Sequence, residues 1–206
     1  MHLDIEFIIA AIFLIASLLP LYIYRKKIFH RFKEGEGFPF FEKDIKSYMK
    51  THHPKIKINY SIIEKTKDEN NTILRQNLVV ENIIQQFFEY PYQKETQQSI
   101  PKEKLWSNYI EKSTSNPKYP NDWPQRKELA WRRDDKVCNR CAQELTLDNS
   151  VSSFVKDIKD GGSYSFENII ILCSDCNKIL NSTNPKNTIS SLSLNDKLML
   201  FVQKDS

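Results

Sequence analysis

Cys138-Asn-Arg-Cys141 and Cys173-Ser-Asp-Cys176 contain all four cysteines of this 206-residue chain. Each is a CxxC pair, and 31 residues separate the two. A CxxC turn lets both thiolates face one ion, and a second such pair closes a large loop across it. Zn²⁺ accepts four thiolates tetrahedrally, without a preferred d-electron geometry. The spacing therefore predicts one closed, structural zinc site at Cys138, Cys141, Cys173 and Cys176, with no open position for water. The alternatives are two disulfides or four unrelated buried thiols. Bound zinc would contribute on the order of 10 kcal/mol to folding this segment.

Outward from the cysteines, an arginine-rich stretch runs Trp123-Pro-Gln-Arg-Lys-Glu-Leu-Ala-Trp-Arg-Arg-Asp-Asp-Lys-Val up to Cys138. Before the second pair come Gly161-Gly162 and Glu167-Asn168-Ile169. Arg133-Asp134-Asp135, the glycine pair, Glu-Asn-Ile and Leu172 through Asn177 fall in the order that resembles the zinc-bearing branch of the HNH endonuclease family. The resemblance covers roughly residues 120–180. It implies a treble-clef-like ββα unit, with its hairpin in residues 146–158 and a helix from Cys173 to about Leu180. It also implies a one-metal nuclease scaffold.

The resemblance fails where the chemistry should be. The family's first histidine-pair position binds the catalytic divalent ion, and the second is the general base. Counted back from Gly161, these positions are Ser153 and Phe154. Serine is a poor ligand for a hard cation, and phenylalanine cannot take a proton. No histidine follows position 53; the four are His2, His30, His52 and His53. What remains for a catalytic site is Asp157, Asn168 (which orients the base in the family) and Asn177 (the family's third metal-ligand position). Mg²⁺ or Mn²⁺ enters only if the chain is catalytically active. Phe154 is expected to pack inward where the base would sit.

Net charge is +4, weak support by itself for a nucleic-acid partner. Residues 7–24 carry no charge over 18 positions. As a helix they would reach about 27 Å, close to a bilayer's hydrocarbon core. Arg25, Lys26, Lys27, Arg31 and Lys33 follow at once. The expectation is therefore a single-pass anchor in residues 1–24, amino end outside, then a basic juxtamembrane linker in 25–39. The body would be cytoplasmic and the membrane itself a partner.

Residues 40–115 read as a small mixed region. A short helix is expected over 40–49, ending at His52-His53-Pro54, with both histidines at an exposed helix end. Residues 55–63 alternate apolar and polar, the pattern of a half-buried strand. Residues 72–90 read as the longest helix, stopped by Pro91. Its wide apolar face admits a protein partner or self-association through 40–115. In the connector a short helix is expected at 102–112. Asp122 and Gln125 form a capping-box pattern opening a helix through Arg133. Arg126, Lys127, Arg132, Arg133, Lys136 and Arg140 are the candidate phosphate contacts. Residues 116–182 form the expected zinc domain and 183–206 a tail, whose apolar run 198–202 fits a strand or a helix equally.

The expected class is α+β: an N-terminal membrane helix, a mixed middle region and a zinc-bound HNH-like ββα unit. Three functions compete. The first is a membrane-anchored module that binds nucleic acid, DNA in particular, through a degenerate nuclease site. The others are an active divergent HNH endonuclease and a structural zinc domain in a protein-interaction protein.

Overall fold

Helices whose buried positions recur every three or four residues build most of the core. The computed structural model describes residues 13–20, 22, 24, 37–109 and 119–204. Helix α1, Gly37–His52, buries Phe41, Ile45 and Met49 on one stripe. Pro54 stands two residues on, and His53, the residue before the proline, is disfavoured in helical conformation. The short helix α2 is Ser61–Lys65. Helix α3, Thr72–Glu89, opens on Asn71, whose side chain accepts from the Leu74 amide at 3.1 Å. It buries Val79, Val80, Ile83, Ile84 and Phe87, and Pro91 stands just beyond its end.

The strand expected at 55–63 is not formed. Residues 56–60 run without regular structure, and Ser61 then opens α2. Ile56 is still buried and the lysines beside it exposed, so the alternation is real. It serves an extended segment laid on a helix. Its backbone partner is a side chain: Gln86 accepts from the Asn59 amide at 2.7 Å and donates to the Asn59 carbonyl at 2.8 Å. One amide thus satisfies both groups that a neighbouring strand would have paired.

After the connector, helix α4 covers Trp123–Arg133. The helix expected at 102–112 is instead one 3₁₀ turn, Lys102–Lys104, within the described part of that range; residues 110–118 lie outside the described residues. Strand β1, Val151–Phe154, pairs antiparallel with β2, Ile169–Leu172, in the register Val151 with Leu172 and Phe154 with Ile169. The hairpin expected inside 146–158 therefore spans a longer interval, with the Gly-Gly loop between its strands. The outer edge of β2 is sealed by side chains. Arg133 donates to the Ile169 carbonyl at 2.8 Å, and Asn139 donates to the Ile171 carbonyl from its backbone at 2.9 Å and its side chain at 3.2 Å.

Helix α5, Ser174–Leu180, begins on Cys173. Helices α6, Pro185–Ser190, and α7, Ser193–Lys204, follow it. Leu194, Leu198 and Val202 are buried at four-residue spacing, which resolves the terminal apolar run as helical. Helix α7 packs on α3 and α1. Asp175 ties it to the cysteine unit: its buried carboxylate accepts from the Ser193 amide and hydroxyl and from the Leu194 amide, each at 2.9 Å.

The membrane helix of the expected architecture is overturned. Among the described residues, no helix is long and apolar enough to cross a membrane. The expected membrane partner loses its support with it. The rest of residues 7–24, and the basic stretch through residue 36, lie outside the described residues.

Candidate metal centre and nucleic-acid face

The two CxxC pairs meet. The Sγ atoms of Cys138, Cys141, Cys173 and Cys176 all lie within 4.8 Å of one another, and all four residues are buried. None is in a disulfide. Tetrahedral zinc with Zn–S near 2.3 Å requires sulfurs about 3.8 Å apart; Cys141 and Cys173 stand at 3.8 Å. The donor set therefore fits a four-thiolate metal site.

Local structure explains the arrangement. Val137 and Glu144 form an isolated antiparallel bridge around the first pair. The tight turn is made by Ala142 in left-handed conformation, φ 60°. The second pair sits at the start of α5, where the Cys173 sulfur accepts from the Cys176 amide at 3.4 Å. Without a cation the four thiols compete for one charge. Hydrogen bonds from Cys141, Cys173 and Cys176 hold the Cys138 thiol well below its ordinary range, and the same sharing, aided by burial, pushes Cys141 and Cys176 up. A divalent ion removes that competition by ionising all four.

The residues left for a catalytic site are otherwise engaged. Ser153 is buried within β1, at 8% exposure. Phe154 is half-buried in an aromatic cluster, with ring centroids 5.7 Å from Trp123 and 5.6 Å from Tyr164. Asp157 stands between two ammonium groups, Lys94 and Lys159, each at 3.9 Å. Asn168 braces the hairpin loop. It accepts from the Lys156 amide at 2.8 Å and donates to the carbonyls of Lys156 at 2.9 Å and Ser163 at 2.7 Å. Asn177 accepts from the Asn181 side chain at 3.1 Å.

The candidate phosphate contacts divide. Arg126 and Arg140 are 1% exposed, out of reach of a phosphate backbone. Asp122 takes Arg126 at 2.8 and 3.0 Å, so its carboxylate makes no helix cap and the expected capping box is replaced by this ion pair. Arg126 also donates to the Tyr164 carbonyl. Arg133 pairs with Asp134 and braces the Phe166 and Ile169 carbonyls. Only Lys127, Arg132 and Lys136 of the six retain exposure without such internal duties; Arg132 pairs with Glu128 and Lys136 lies over Trp131.

Two residues were missed by sequence reasoning. His53, expected at an exposed helix end, is buried with its ring 5.0 Å from Phe87. Asp175 anchors α7. For Arg126 a signal existed: it shares a helix stripe with Ala130, which is also buried.

The fold and site define a cysteine-clamped ββα unit built to hold a metal ion, set into a helical core. The family model described as HNH endonuclease matches residues 138–183, under a quarter of the chain, and this is an HNH endonuclease-like domain. No curated protein and no solved structure matches the chain.

Proposed function

We propose that this chain binds DNA through a zinc-stabilised HNH-like unit whose hydrolytic site has degenerated. The carrying observation is that Ser153 and Phe154 stand where the resemblance expects metal ligand and base, inside a domain that matches the family. One is buried in the strand and the other is held in an aromatic cluster. A one-metal hydrolase needs a hard cation on oxygen or imidazole ligands, and a base to deprotonate water. Asp157, the nearest carboxylate left, faces two lysines instead. Zinc on the four thiolates would leave no coordination position for water, so its role is to hold the fold. Lys127, Arg132 and Lys136 supply an outward basic edge for phosphates.

The test incubates the full zinc-loaded chain with supercoiled plasmid, with and without added magnesium or manganese, and titrates labelled DNA in parallel. Binding without nicking is expected. Reversing charge at Lys127, Arg132 and Lys136 should weaken binding and flatten its salt dependence, by about 0.9 in log–log slope for each phosphate no longer neutralised. Metal-dependent nicking that disappears in Asp157→Ala would refute the degenerate-site reading. Absence of any DNA binding would refute the binding reading.

A further inference from the structure

Arg140 lies inside the first cysteine pair and is 1% exposed. One terminal nitrogen donates to three carbonyls at the end of α3: Phe87 at 2.6 Å, Tyr90 at 3.0 Å and Phe88 at 3.3 Å. The other donates to the Cys176 sulfur at 3.6 Å. The guanidinium carbon is 5.2 Å from the Phe87 ring centroid and 5.7 Å from that of Tyr90. Among the described residues, no carboxylate forms an ion pair with it. A guanidinium does not deprotonate in a protein, so this is a buried positive charge in search of a counter-charge.

Two partners are available. The last carbonyls of α3 carry the negative end of the helix dipole, which answers part of the charge. The cysteine centre answers the rest most fully in one chemical state. Two disulfides are neutral, and four thiols competing for one charge carry less negative charge than four thiolates. Four thiolates around a divalent ion carry a net charge of −2. The metal-filled centre is therefore the fullest counter-charge within reach of Arg140. Arg140 grips that centre and the end of α3 with the two branches of one rigid fork.

We propose that Arg140 is the counter-ion of the metal–thiolate centre and makes docking of the helical layer, α1, α3 and α7, conditional on metal. The inference rests on the metal reading of the cysteines and goes beyond it: metal occupancy is felt by elements outside the matched domain.

The experiment uses the full chain. Zinc content and free thiols are counted, zinc affinity is measured against a chromophoric chelator, and amide exchange is followed at residues 84–90. The wild type should hold one zinc per chain, and protection at 84–90 should fall on chelation. Arg140→Met keeps the length and removes the charge; it should lose about 10- to 100-fold in zinc affinity and lose protection at 84–90 even with zinc saturating. Arg140→Lys should recover most of the affinity, because charge is restored, but not the protection, because an ammonium cannot span three carbonyls and a sulfur. That split separates a counter-ion from a filler of space, and Arg140→Lys carries the test if Arg140→Met does not fold. Protection at 84–90 that survives chelation, or wild-type affinity in Arg140→Met, overturns the coupling while leaving the metal reading intact. Four thiols without bound zinc, or two disulfides, overturn the metal reading and the coupling together.

Discussion

Gly162→Ala and Gly161→Ala, one residue apart, should behave very differently. At Gly162 an added Cβ would lie 2.0 Å from the Lys156 carbonyl oxygen, 2.8 Å from its carbon and 2.9 Å from the Asn168 side-chain nitrogen. Backbone cannot yield as a flexible side-chain tip does, so the loop must open. Opening it breaks the Asn168 brace of three hydrogen bonds, and the bond from the Gly162 amide to the Asp157 carbonyl at 3.0 Å. At about 1 kcal/mol net for each bond, the loss is about 3–4 kcal/mol. At Gly161 the added Cβ meets nothing closer than the tip of Lys156 at 3.5 Å, but φ is +85°. An L-residue there costs about 1–2 kcal/mol. Urea unfolding of the two zinc-loaded variants, followed by circular dichroism, measures both losses. Equal losses, or a larger one at Gly161, would refute the argument that backbone approach, rather than left-handed geometry, makes the second glycine necessary.

Asp175→Ala should destabilise by about 3 kcal/mol, because three donors at the start of α7 are deprived of a charged acceptor; denaturant titration with amide exchange at residues 193–196 checks both the size and the place. Burial, reinforced by the neighbouring His52, pushes the His53 imidazole down from 6.5 to about 4. The unfolded chain then binds the extra proton first, so this stability is complete above about pH 6.5 and is lost as pH falls toward 4, by up to about 3 kcal/mol. His53→Phe, which keeps a ring against Phe87, should flatten that part of the stability–pH curve; an unchanged curve would exclude His53 as its source. Arg126→Ala should cost about 2–3 kcal/mol by removing the charged donor shared by Asp122 and the Tyr164 carbonyl, Asp122 keeping the Trp106 indole N–H, and once folded at low temperature it should bind DNA with an unaltered salt slope, since its guanidinium faces no phosphate.

What could be read from the chain was what local spacing encodes. The cysteine pairs, α3 and α4 were legible because CxxC turns and three-to-four-residue apolar recurrence are properties of short windows. The strand expected at 55–63 misled because alternation reports a half-buried extended chain, not its partner; here the partner is the Gln86 side chain, 27 residues away. The basic residues misled in another way. Composition counts arginines as surface charge, yet Arg126 and Arg140 are spent on carbonyls brought from distant positions, and Arg126 also on Asp122, one turn earlier. Only the long-range fold could reveal those carbonyls. The N-terminal stretch was judged on apolar length, and among the described residues no helix is long and apolar enough to cross a membrane.

The sealed edge of β2 bears on what happens before folding is complete. Ile169-Ile-Ile-Leu172 is a short, uncharged, strongly β-prone run, and such a run with open backbone groups is a template for pairing with another chain. Arg133 and Asn139 close that edge, and Asn139 reaches it from within the first cysteine turn. A chain that has not yet gathered its four sulfurs leaves the Ile171 carbonyl uncovered. Premature strand-to-strand association is thus the hazard for a chain whose cysteines have not gathered, and refolding yield of monomer should rise when zinc is supplied before, rather than after, dilution from denaturant.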